Sequence, residues 1–316
     1  MKIMKIIRDY QFVKSSDKGA SVAVGNFDGV HLGHQHVIDI ARSWGNKNQS
    51  PLGVLTFEPH PRSYFSPGAS NFRLMSSDAK ATRLDKLHVE KLYELNFNKT
   101  LSSLNPFDFA DQVISKGLGL RHLVVGEDFC FGKGRSGTVK DLISLGSSMG
   151  FEVTIAELME TEIGRVSSTS IRNALAEGRP NDAAKQLGHW HRIEGVVIGG
   201  EQRGRELGYP TANMSLDDLH LPHLGVYAVL VDVLNGEHVG SYNGVASLGV
   251  RPMFGENTPN LETFFFDFSG DLYGATLSVA LVEFMRPEIK FDSLESLIVQ
   301  MDKDSLKSRE ILKSLK

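Results

Sequence analysis

Short apolar runs alternate with helical patterns along the first part of the chain, up to about residue 188. The predicted strands are Ser21–Phe27, Leu52–Phe57, His122–Gly126 and Glu152–Ile155. The predicted helices are His34–Trp44, Asp78–Leu87, Phe107–Lys116 and Val139–Met149. This alternation predicts βαβ units on a parallel sheet, with ligands bound at the carboxyl ends of the strands.

The pattern changes after the segment RPNDAAKQLGHWHR, which ends at Arg192. Strand-like runs then follow one another, separated by glycine-bearing loops: Ile193–Ile198, Val226–Leu234, Val239–Leu248, Glu262–Phe268 and Thr276–Phe284. The last segment, Ser293–Leu315, returns to helical periodicity. This half is predicted to be a small antiparallel barrel closed by one helix, with the domain boundary between residues 179 and 191.

Composition supports two globular domains. The 316 residues are 41% apolar, which is enough for two cores, and the formal charge of −4 argues against a general nucleic-acid binder. Cys130 is the only cysteine, so an intramolecular disulfide cannot form. The N-terminal segment meets Asp9 before a long apolar core develops, and it predicts neither a signal peptide nor a membrane span. We expect a cytoplasmic protein without a membrane or nucleic-acid partner.

The stretch VAVGNFDGVHLGHQHVI breaks an apolar run and then places three histidines within six residues. Gly25 and Gly29 allow close approach of the backbone at the end of a strand. The helix that follows directs unpaired N–H groups and its positive dipole end toward that turn. His31 and His34 are three residues apart, so on a helix they share a face. The arrangement predicts phosphate binding.

Two other interpretations of these histidines remain open. An ordinary surface pair of histidines is the simpler alternative. A metal site formed by His31, His34 and His36 is the second, although His36 falls on a different helical face and no Cys or carboxylate stands at ligand spacing beside them.

Two glycine motifs are set aside. GKGRSG, Gly132–Gly137, matches G-x-G-x-x-G, but EDFCF separates it from the strand that a dinucleotide fingerprint must follow directly. The segment Gly126–Gly134 is one residue too long for a P-loop and has Gly134 where Ser or Thr is required. Neither motif predicts a nucleotide site.

The stretch GNFDGVHLGHQ resembles the His-x-Gly-His signature of the nucleotidyltransferase superfamily, in the form found in bacterial bifunctional riboflavin kinase/FAD synthetases. Further stretches similar to that family follow in the expected order: TFEPHP (Thr56–Pro61), VVGEDFCFG (Val124–Gly132), VSSTSIRNAL (Val166–Leu175), RGRELGYPTAN (Arg203–Asn213), GVYAV (Gly225–Val229) and DLYG (Asp271–Gly274). The resemblance covers nearly the whole chain.

The resemblance implies the fold and the activity of each half. Residues 1–186 would form an α/β Rossmann-like nucleotidyltransferase domain with a parallel sheet, acting as an FMN adenylyltransferase. Residues 187–316 would form an antiparallel β-barrel riboflavin kinase domain with a C-terminal helix. The implied reactions are phosphorylation of riboflavin to FMN with ATP, and then transfer of AMP from ATP to FMN, which gives FAD and pyrophosphate.

The resemblance also implies residues for the adenylyl transfer. His31 and His34 would hold the ATP phosphates in the transition state, where positioning and electrostatics dominate. By the same resemblance, Arg172 with Ser167, Ser168 and Thr169 would receive the triphosphate and the leaving pyrophosphate. The local physics agrees, since serine and threonine cap helix N-termini and arginine can fork across phosphate oxygens. An ordinary helix start is the alternative for this segment. The remaining nucleotide-binding residues implied in this half are Gly25, Asn26, Phe27 and Asp28.

A flavin ring needs a flat apolar slot with a few polar contacts. The candidate wall residues are Phe57, Pro59, His60, Asp128 and Phe131. Core packing is the alternative for the two phenylalanines.

The kinase half contains GGEQRGRELGYPTAN, whose glycines suit a flexible loop over phosphates. The nucleotide-binding residues implied there are Gly200, Arg203, Gly204 and Gly208. By the resemblance, Thr211 and Asn213 would bind a hydrated Mg²⁺ alongside ATP, and Glu262 would act as the base for the ribityl 5′-hydroxyl. A hairpin loop and an exposed acid at a strand end are the alternatives.

Two other functions stay open. A flavin-binding or flavin-sensing protein without turnover would keep the folds, and a cytidylyltransferase fused to a β module would use CTP. The expected small-molecule partners are riboflavin, FMN and ATP, and the oligomeric state is left open.

Overall fold

The computed structural model describes residues 4–68, 71–157, 160–161, 164–199, 209–216, 218–253 and 256–315. The chain divides into two compact units. The first comprises Met1–Ser70 and Ser77–Val166, and the second comprises Asn71–Ser76 and Ser167–Lys316. Each unit has its own hydrophobic core.

A six-stranded parallel sheet forms the centre of the first unit. Its strands are β1 (Lys5–Ile7), β2 (Ser21–Val24), β3 (Leu52–Glu58), β4 (Lys91–Asn96), β5 (His122–Gly126) and β6 (Glu152–Ala156). They lie in the order β1-β4-β3-β2-β5-β6, and every pairing is parallel. The predicted parallel α/β sheet is therefore confirmed. After β2 the chain adds β3 on one side and later β5 on the other, which puts the topological switch point between β2 and β5.

Helices connect these strands: α1 (Leu32–Asn48), α2 (Pro61–Phe65), α3 (Ser77–Lys86), α4 (Lys99–Ser103), α5 (Pro106–Asp108, continued by the π-helix Phe109–Gly117) and α6 (Val139–Met149). Single 3₁₀ turns span Ser15–Asp17 and Lys133–Arg135, and β7 (Glu160–Thr161) pairs with β8 (Gly164–Arg165). A capping box between Thr138 and Asp141 starts α6, and Gly150, at a φ of 83°, ends it.

The predicted strand Ser21–Phe27 ends three residues early, at Val24. The backbone leaves the extended region there, since Phe27, Gly29 and Val30 have φ values of 53°, 86° and 44°. A β-branched or aromatic residue at positive φ is sterically costly. These three positive φ values turn the backbone away from the strand direction, so the chain forms a tight turn after β2.

A buried polar network lies at the amino end of the sheet, around His122. The Nδ1 atom of His122 lies 2.8 Å from the Ser21 hydroxyl, which itself donates to the carbonyl oxygen of Ala41 at 2.7 Å. Its Nε2 atom lies 2.8 Å from the hydroxyl of Thr154, and its ring stacks on Trp44 at 4.5 Å. Because Ser21 uses its proton for Ala41, the imidazole donates through Nδ1 and accepts at Nε2. A second ring proton would require Thr154 to accept instead of donate, and it would place a charge in this buried site.

The pKa of His122 should make the fold less stable in acid. Burial lowers this pKa from 6.5 to about 4, against a smaller opposing effect of Glu152. The unfolded chain therefore takes up the proton first, and stability falls as the pH drops from 6.5 toward 4, by up to about 3 kcal/mol from this group. The free energy of unfolding, measured with urea at pH 7 and at pH 4.5, should differ less between the two pH values in His122→Gln than in wild type. Equal pH effects in the two proteins would contradict this assignment.

The second unit is built on a curled antiparallel sheet. Its strands are β9 (His191–Val196), β10 (Thr211–Ser215), β11 (Gly225–Val233), β12 (Gly240–Met253), β13 (Glu256–Phe265) and β14 (Thr276–Arg286). They lie in the order β10-β13-β12-β11-β14-β9, and every pairing is antiparallel. The N–H of Ile198 donates to the carbonyl oxygen of Asn213 at 2.9 Å, which joins the two edges of the sheet. The predicted antiparallel barrel is confirmed.

The described residues of this unit also form helices α7 (Ser168–Ala176), α8 (Pro180–Leu187) and the C-terminal α9 (Leu294–Lys313). Helix α9 is fixed by an ion pair of 2.7 Å between Arg286 and Asp304. The hydroxyl of Ser308 also donates to the carbonyl oxygen of Gly244 at 2.8 Å. The predicted closing helix is therefore present. In the part of the chain that the structure describes, the helices lack the combination of length and apolar character that spanning a bilayer requires.

Candidate functional site

The turn between β2 and α1 is tied to the neighbouring strand β3. The N–H of Gly25 donates to the carbonyl oxygen of Leu55 at 3.1 Å, and the hydroxyl of Thr56 donates to that of Asn26 at 3.2 Å. Asn26 is exposed, whereas Phe27 and Asp28 are buried. Of the predicted nucleotide-binding residues in this turn, Asn26 and the partly exposed Gly25 are open to a ligand, whereas the ring of Phe27 is buried against that of His34.

His31 caps the N-terminus of α1 with its own ring. Its Nδ1 atom accepts the backbone N–H of His34 at 3.3 Å. Gly33 makes room for this ring, because a Cβ at that position would lie 3.2 Å from two of its atoms. A nitrogen that accepts a hydrogen bond carries no proton, so the remaining proton of neutral His31 is on Nε2. The ring therefore presents Nε2–H as its donor.

The rings of His31 and His34 are stacked, with centroids 3.6 Å apart and planes inclined by 16°. Phe27 packs on the other ring, its centroid 5.1 Å from that of His34. Burial lowers the pKa of His31 to about 4. Burial, followed by the nearby charges of His31 and Lys80, holds the pKa of His34 well below its ordinary range. Both imidazoles are therefore neutral at pH 7.

A neutral pair of this kind is suited to a polyanion. Within the described residues, Nδ1 of His34 is buried and has no hydrogen-bond partner. A bound phosphate would raise the pKa of both rings, since an opposite charge nearby stabilises the charged form. The first N–H groups of α1 add the positive end of the helix dipole. The structure thus brings the two predicted histidines together, while His36 is exposed on another part of the helix.

Lys80 lies beside the turn between β2 and α1, and the sequence did not reveal its position there. It lies on α3 and is 3% exposed, with Nζ 3.4 Å from both the carbonyl oxygen of Asn26 and the hydroxyl of Thr56. Its charge also contributes to the low pKa of His34. In the sequence, Lys80 stands in a helix with several charged residues, and no local signal separates it from them.

An aromatic cluster follows the carboxyl ends of β3 and β4. The ring of Phe97 lies 5.7 Å from that of Phe57, 5.3 Å from that of Tyr64 and 5.7 Å from that of Phe65. Phe65 is 65% exposed, so the cluster is open to solvent. Only Phe57 was predicted, because Tyr64 and Phe65 join the cluster through the path of α2 and Phe97 joins it through the pairing of β4 with β3. The cluster offers a flat ring an apolar surface.

The other predicted flavin residues have different surroundings. His60 caps α2 by accepting the N–H two residues further on at 3.0 Å, and Pro59 beside it is exposed. Asp128 is exposed after β5. Phe131 is 5% exposed and belongs to the core, which favours the packing alternative for this residue. Phe129, stacked on Phe131 at 5.9 Å and only partly buried, is the aromatic residue nearer to solvent.

The start of α7, in the second unit, carries the predicted Ser-Thr-Arg group. Ser167 caps the helix through a reciprocal pair of hydrogen bonds with Ser170, each of 3.1 Å. The guanidinium of Arg172 donates to the Thr169 hydroxyl at 3.1 Å and to the carbonyl oxygen of Phe72 at 3.2 Å. Ser168 is partly exposed and Thr169 is exposed. The predicted helix start is present, and Arg172 has a fixed orientation at its side.

The predicted kinase residues meet on β10 and β13. Asn213 is the direct cross-strand partner of Glu262, and Thr211 lies two residues before it, on the same face of β10. Asn260, which the sequence did not reveal, donates to the Oδ1 atom of Asn213 at 3.0 Å and to the Oε1 atom of Glu262 at 3.2 Å. The structure thus brings three predicted residues and one further amide together.

Part of the predicted nucleotide loop lies outside the described residues: Gly200, Arg203, Gly204 and Gly208.

The donors on β10 suit a hard cation. The hydroxyl of Thr211 and the amide oxygen of Asn213 are oxygen ligands of the kind that Mg²⁺ prefers. Elsewhere in the described residues, no group of three or more His, Cys, Asp or Glu side chains is placed to hold a metal ion. A cation bound by two neutral oxygens takes its other ligands from water and nucleotide phosphates.

Comparisons with known proteins match the two halves of the chain to two different family models. Residues 13–170 match the family model described as FAD synthetase, and residues 187–312 match the one described as riboflavin kinase. A bifunctional riboflavin kinase/FMN adenylyltransferase from Pseudomonas fluorescens is 38% identical, over 98% of each chain. A protein of the same name from Bacillus subtilis is 37% identical, over 96% of each chain.

A solved structure shares the fold over the full length. A crystal structure described as a macrolide-efflux protein from Streptococcus pneumoniae matches with a TM-score of 0.84 at 32% identity, covering 97% of this chain and 99% of that one. The name of that protein differs from the names of the two relatives above, and it describes that protein alone. The two family models and the curated relatives agree with each other on the family.

Proposed function

Because the chain belongs to the family of bifunctional riboflavin kinase/FMN adenylyltransferases, we propose that it phosphorylates riboflavin to FMN and then converts FMN to FAD. ATP supplies the phosphoryl group in the first reaction and the AMP group in the second. The stacked pair of His31 and His34 at the switch point of the sheet is the observation that carries the proposal. Such a site suits the transfer of a group between two polyanions.

Adenylyl transfer needs the FMN phosphate to attack the α-phosphorus of ATP. A phosphate oxygen of FMN forms the new bond, the bond to the β-phosphate oxygen breaks, and pyrophosphate leaves. We assign His31 and His34 to the charge that develops around the α-phosphorus, with the Nε2–H of His31 as a donor. The buried cation of Lys80, close to the same turn, adds to this field. No covalent enzyme intermediate is needed.

The remaining residues of this half are assigned to binding. We propose that Gly25, Asn26 and the first N–H groups of α1 contact the nucleotide. The aromatic cluster around Phe57 is assigned to the isoalloxazine ring, with Asp128 as a polar contact at its edge. Arg172 and the hydroxyl groups at the start of α7 are assigned to the leaving pyrophosphate, because the guanidinium is held in one orientation.

In the kinase reaction the ribityl 5′-hydroxyl attacks the γ-phosphorus of ATP, and ADP leaves. We assign Glu262 as the base that accepts the hydroxyl proton, because a carboxylate can take up that proton as the oxygen attacks the γ-phosphorus. Thr211 and Asn213 would hold Mg²⁺ together with the ATP phosphates. The cation, when bound, neutralises phosphate charge and orients the γ-phosphate.

The two alternative functions differ from the proposed one in the nucleotide that is used or in whether a product is formed. Given FMN, Mg²⁺ and either ATP or CTP, the chain should form FAD and pyrophosphate from ATP and no dinucleotide product from CTP. A cytidylyltransferase would show the opposite preference. A flavin sensor would bind FMN without forming a product from either nucleotide.

We propose that the functional boundary lies between residues 186 and 187. A fragment of residues 1–186 should convert FMN to FAD, and one of residues 187–316 should convert riboflavin to FMN. The second fragment lacks α8, which contacts the barrel through Asn181 and Glu283. A fragment of residues 167–316 is the matched control and should be more stable at equal kinase activity. A folded 187–316 fragment without kinase activity would contradict the boundary.

We propose a cytoplasmic location, which the single cysteine Cys130 supports. The proposed partners are the small molecules riboflavin, FMN and ATP. The net charge of −4 supports the expectation that nucleic acid is not a partner.

A further inference from the structure

Asn260 occupies a buried position in the centre of the kinase residues. It precedes Glu262 by two residues on β13, so both side chains stand on the same face of the sheet. Asn213, the cross-strand partner of Glu262, shares that face. Asn260 is 5% exposed and Asn213 is 8% exposed. The base and the metal ligand assigned above therefore flank one buried amide.

The side-chain amide of Asn260 donates a hydrogen bond to each of these two groups. Its Nδ2 atom donates one proton to Oδ1 of Asn213, with an N···O distance of 3.0 Å. It donates the other proton to Oε1 of Glu262, with an N···O distance of 3.2 Å. Asn213 in turn donates its own Nδ2–H to the carbonyl oxygen of Thr211 at 3.3 Å. This donation fixes the orientation of the Asn213 amide, so that its oxygen faces Asn260.

The two acceptors, Oδ1 of Asn213 and Oε1 of Glu262, are both electron-rich oxygen atoms. A carboxylate accepts hydrogen bonds and donates none, and an amide oxygen does the same. Two such atoms repel each other unless a donor stands between them. The Asn260 amide supplies that donor to both, and Oδ1 of Asn213 keeps a second lone pair for a cation.

The amide oxygen of Asn260, unlike its nitrogen, is buried and has no hydrogen-bond partner in the described residues. An amide retained only for barrel stability would be expected to have both ends paired, because an unpaired buried polar atom is unfavourable. Among the described residues, the side chain of Asn260 makes its hydrogen bonds to Glu262 and Asn213.

We propose that Asn260 is a positioning residue of the kinase site, holding the carboxylate of Glu262 and the metal-binding oxygen of Asn213 in one fixed relation. This inference rests on the proposed function of those two residues. Asn260 acts through them and does not contact the reacting atoms. Its loss should reduce the rate of phosphoryl transfer and raise the Mg²⁺ concentration that the reaction needs, while riboflavin binding changes little.

The first test replaces Asn260 by alanine in the full chain. Riboflavin phosphorylation should show a kcat about 10–100-fold lower, the usual effect of losing a group that orients a metal ligand. The Mg²⁺ concentration for half-maximal rate should rise, and the KM for riboflavin should stay near that of wild type. FAD formation from supplied FMN reports whether the chain is folded. Asn243→Ala, a half-buried asparagine on β12, is the matched control and should change neither activity.

A double-mutant cycle separates positioning from a merely structural role. If Asn260 acts through Glu262, adding Asn260→Ala to Glu262→Gln should cost far less than Asn260→Ala costs alone. Additive losses would overturn the inference, as would a wild-type kcat in Asn260→Ala. If the alanine variant fails to fold, Asn260→Asp is used instead, because aspartate keeps the shape of the side chain and removes both N–H donors. Wild-type kinase activity in that variant would also overturn the inference.

Failure of the proposed function would look different. In that case Glu262→Gln itself would phosphorylate riboflavin at the wild-type rate, whatever Asn260→Ala does. Loss of activity in Glu262→Gln together with full activity in Asn260→Ala would leave the base assignment intact and refute the positioning role.

Discussion

Replacing Glu262 by glutamine is expected to lower the rate of riboflavin phosphorylation by about 10²–10⁴-fold, the usual cost of removing a general base. Glutamine keeps the shape of the side chain, but its amide cannot accept the proton of the ribityl 5′-hydroxyl as the oxygen attacks. Binding of ATP and Mg²⁺ should change little, since Thr211 and Asn213 on β10 are assigned to it. The rate of FMN production from riboflavin measures the effect.

The second activity of the same preparation is the control. FAD formation from supplied FMN should survive in Glu262→Gln, because that reaction is assigned to the first half of the chain. Near-normal FMN production from riboflavin would exclude Glu262 as an essential base. Equal loss of both activities would indicate a folding defect instead.

Replacing His31 or His34 by alanine is expected to lower FAD formation by about 10²–10³-fold, by analogy with the loss of one oxyanion donor. Each ring is assigned to charge that develops in the transition state, so kcat should fall more than the affinity for ATP. His31→Ala should also destabilise α1, because the ring is the N-cap of that helix. Steady-state rates of FAD formation from FMN and ATP measure the effect.

His36→Ala is the matched control on the same helix, because His36 is exposed. It should leave FAD formation unchanged. FMN formation from riboflavin should persist in all three variants. Wild-type adenylylation in both His31→Ala and His34→Ala would show that these histidines are structural, and the account of the first site would fail.

Local sequence patterns predicted much of the fold. The strand His122–Gly126 and the helix Val139–Met149 have the predicted bounds, because each combines a clear apolar period with glycine or capping signals at its ends. The pairing of His31 with His34 also followed from spacing alone, since residues three apart meet on one face of a helix.

Other elements depend on partners far away in the sequence. The strand β4, Lys91–Asn96, was not predicted, because Lys91 and Glu94 interrupt its apolar pattern. Both are buried through distant contacts: Lys91 donates to the carbonyl oxygen of Ser16 at 3.0 Å, and Glu94 pairs with Arg8 at 3.0 Å. A local pattern cannot reveal that a charged residue will find such a partner.

The same limit applies to the candidate sites. Lys80 reaches the turn after β2 only because α3 packs beside it, and Asn260 reaches Glu262 and Asn213 only through the register of β10 and β13. The exposed ring of Phe65 joins the aromatic cluster through the position of α2. Each contact joins segments whose relative placement is a property of the folded chain.

The most direct test of the central claim is a time course with the purified chain, riboflavin, ATP and Mg²⁺, in which riboflavin, FMN and FAD are separated by chromatography. The account predicts that FMN appears first and FAD follows, with ADP and pyrophosphate released in equal amounts for each FAD formed. Riboflavin that binds but stays unchanged, or FMN that never becomes FAD when ATP is in excess, would contradict it.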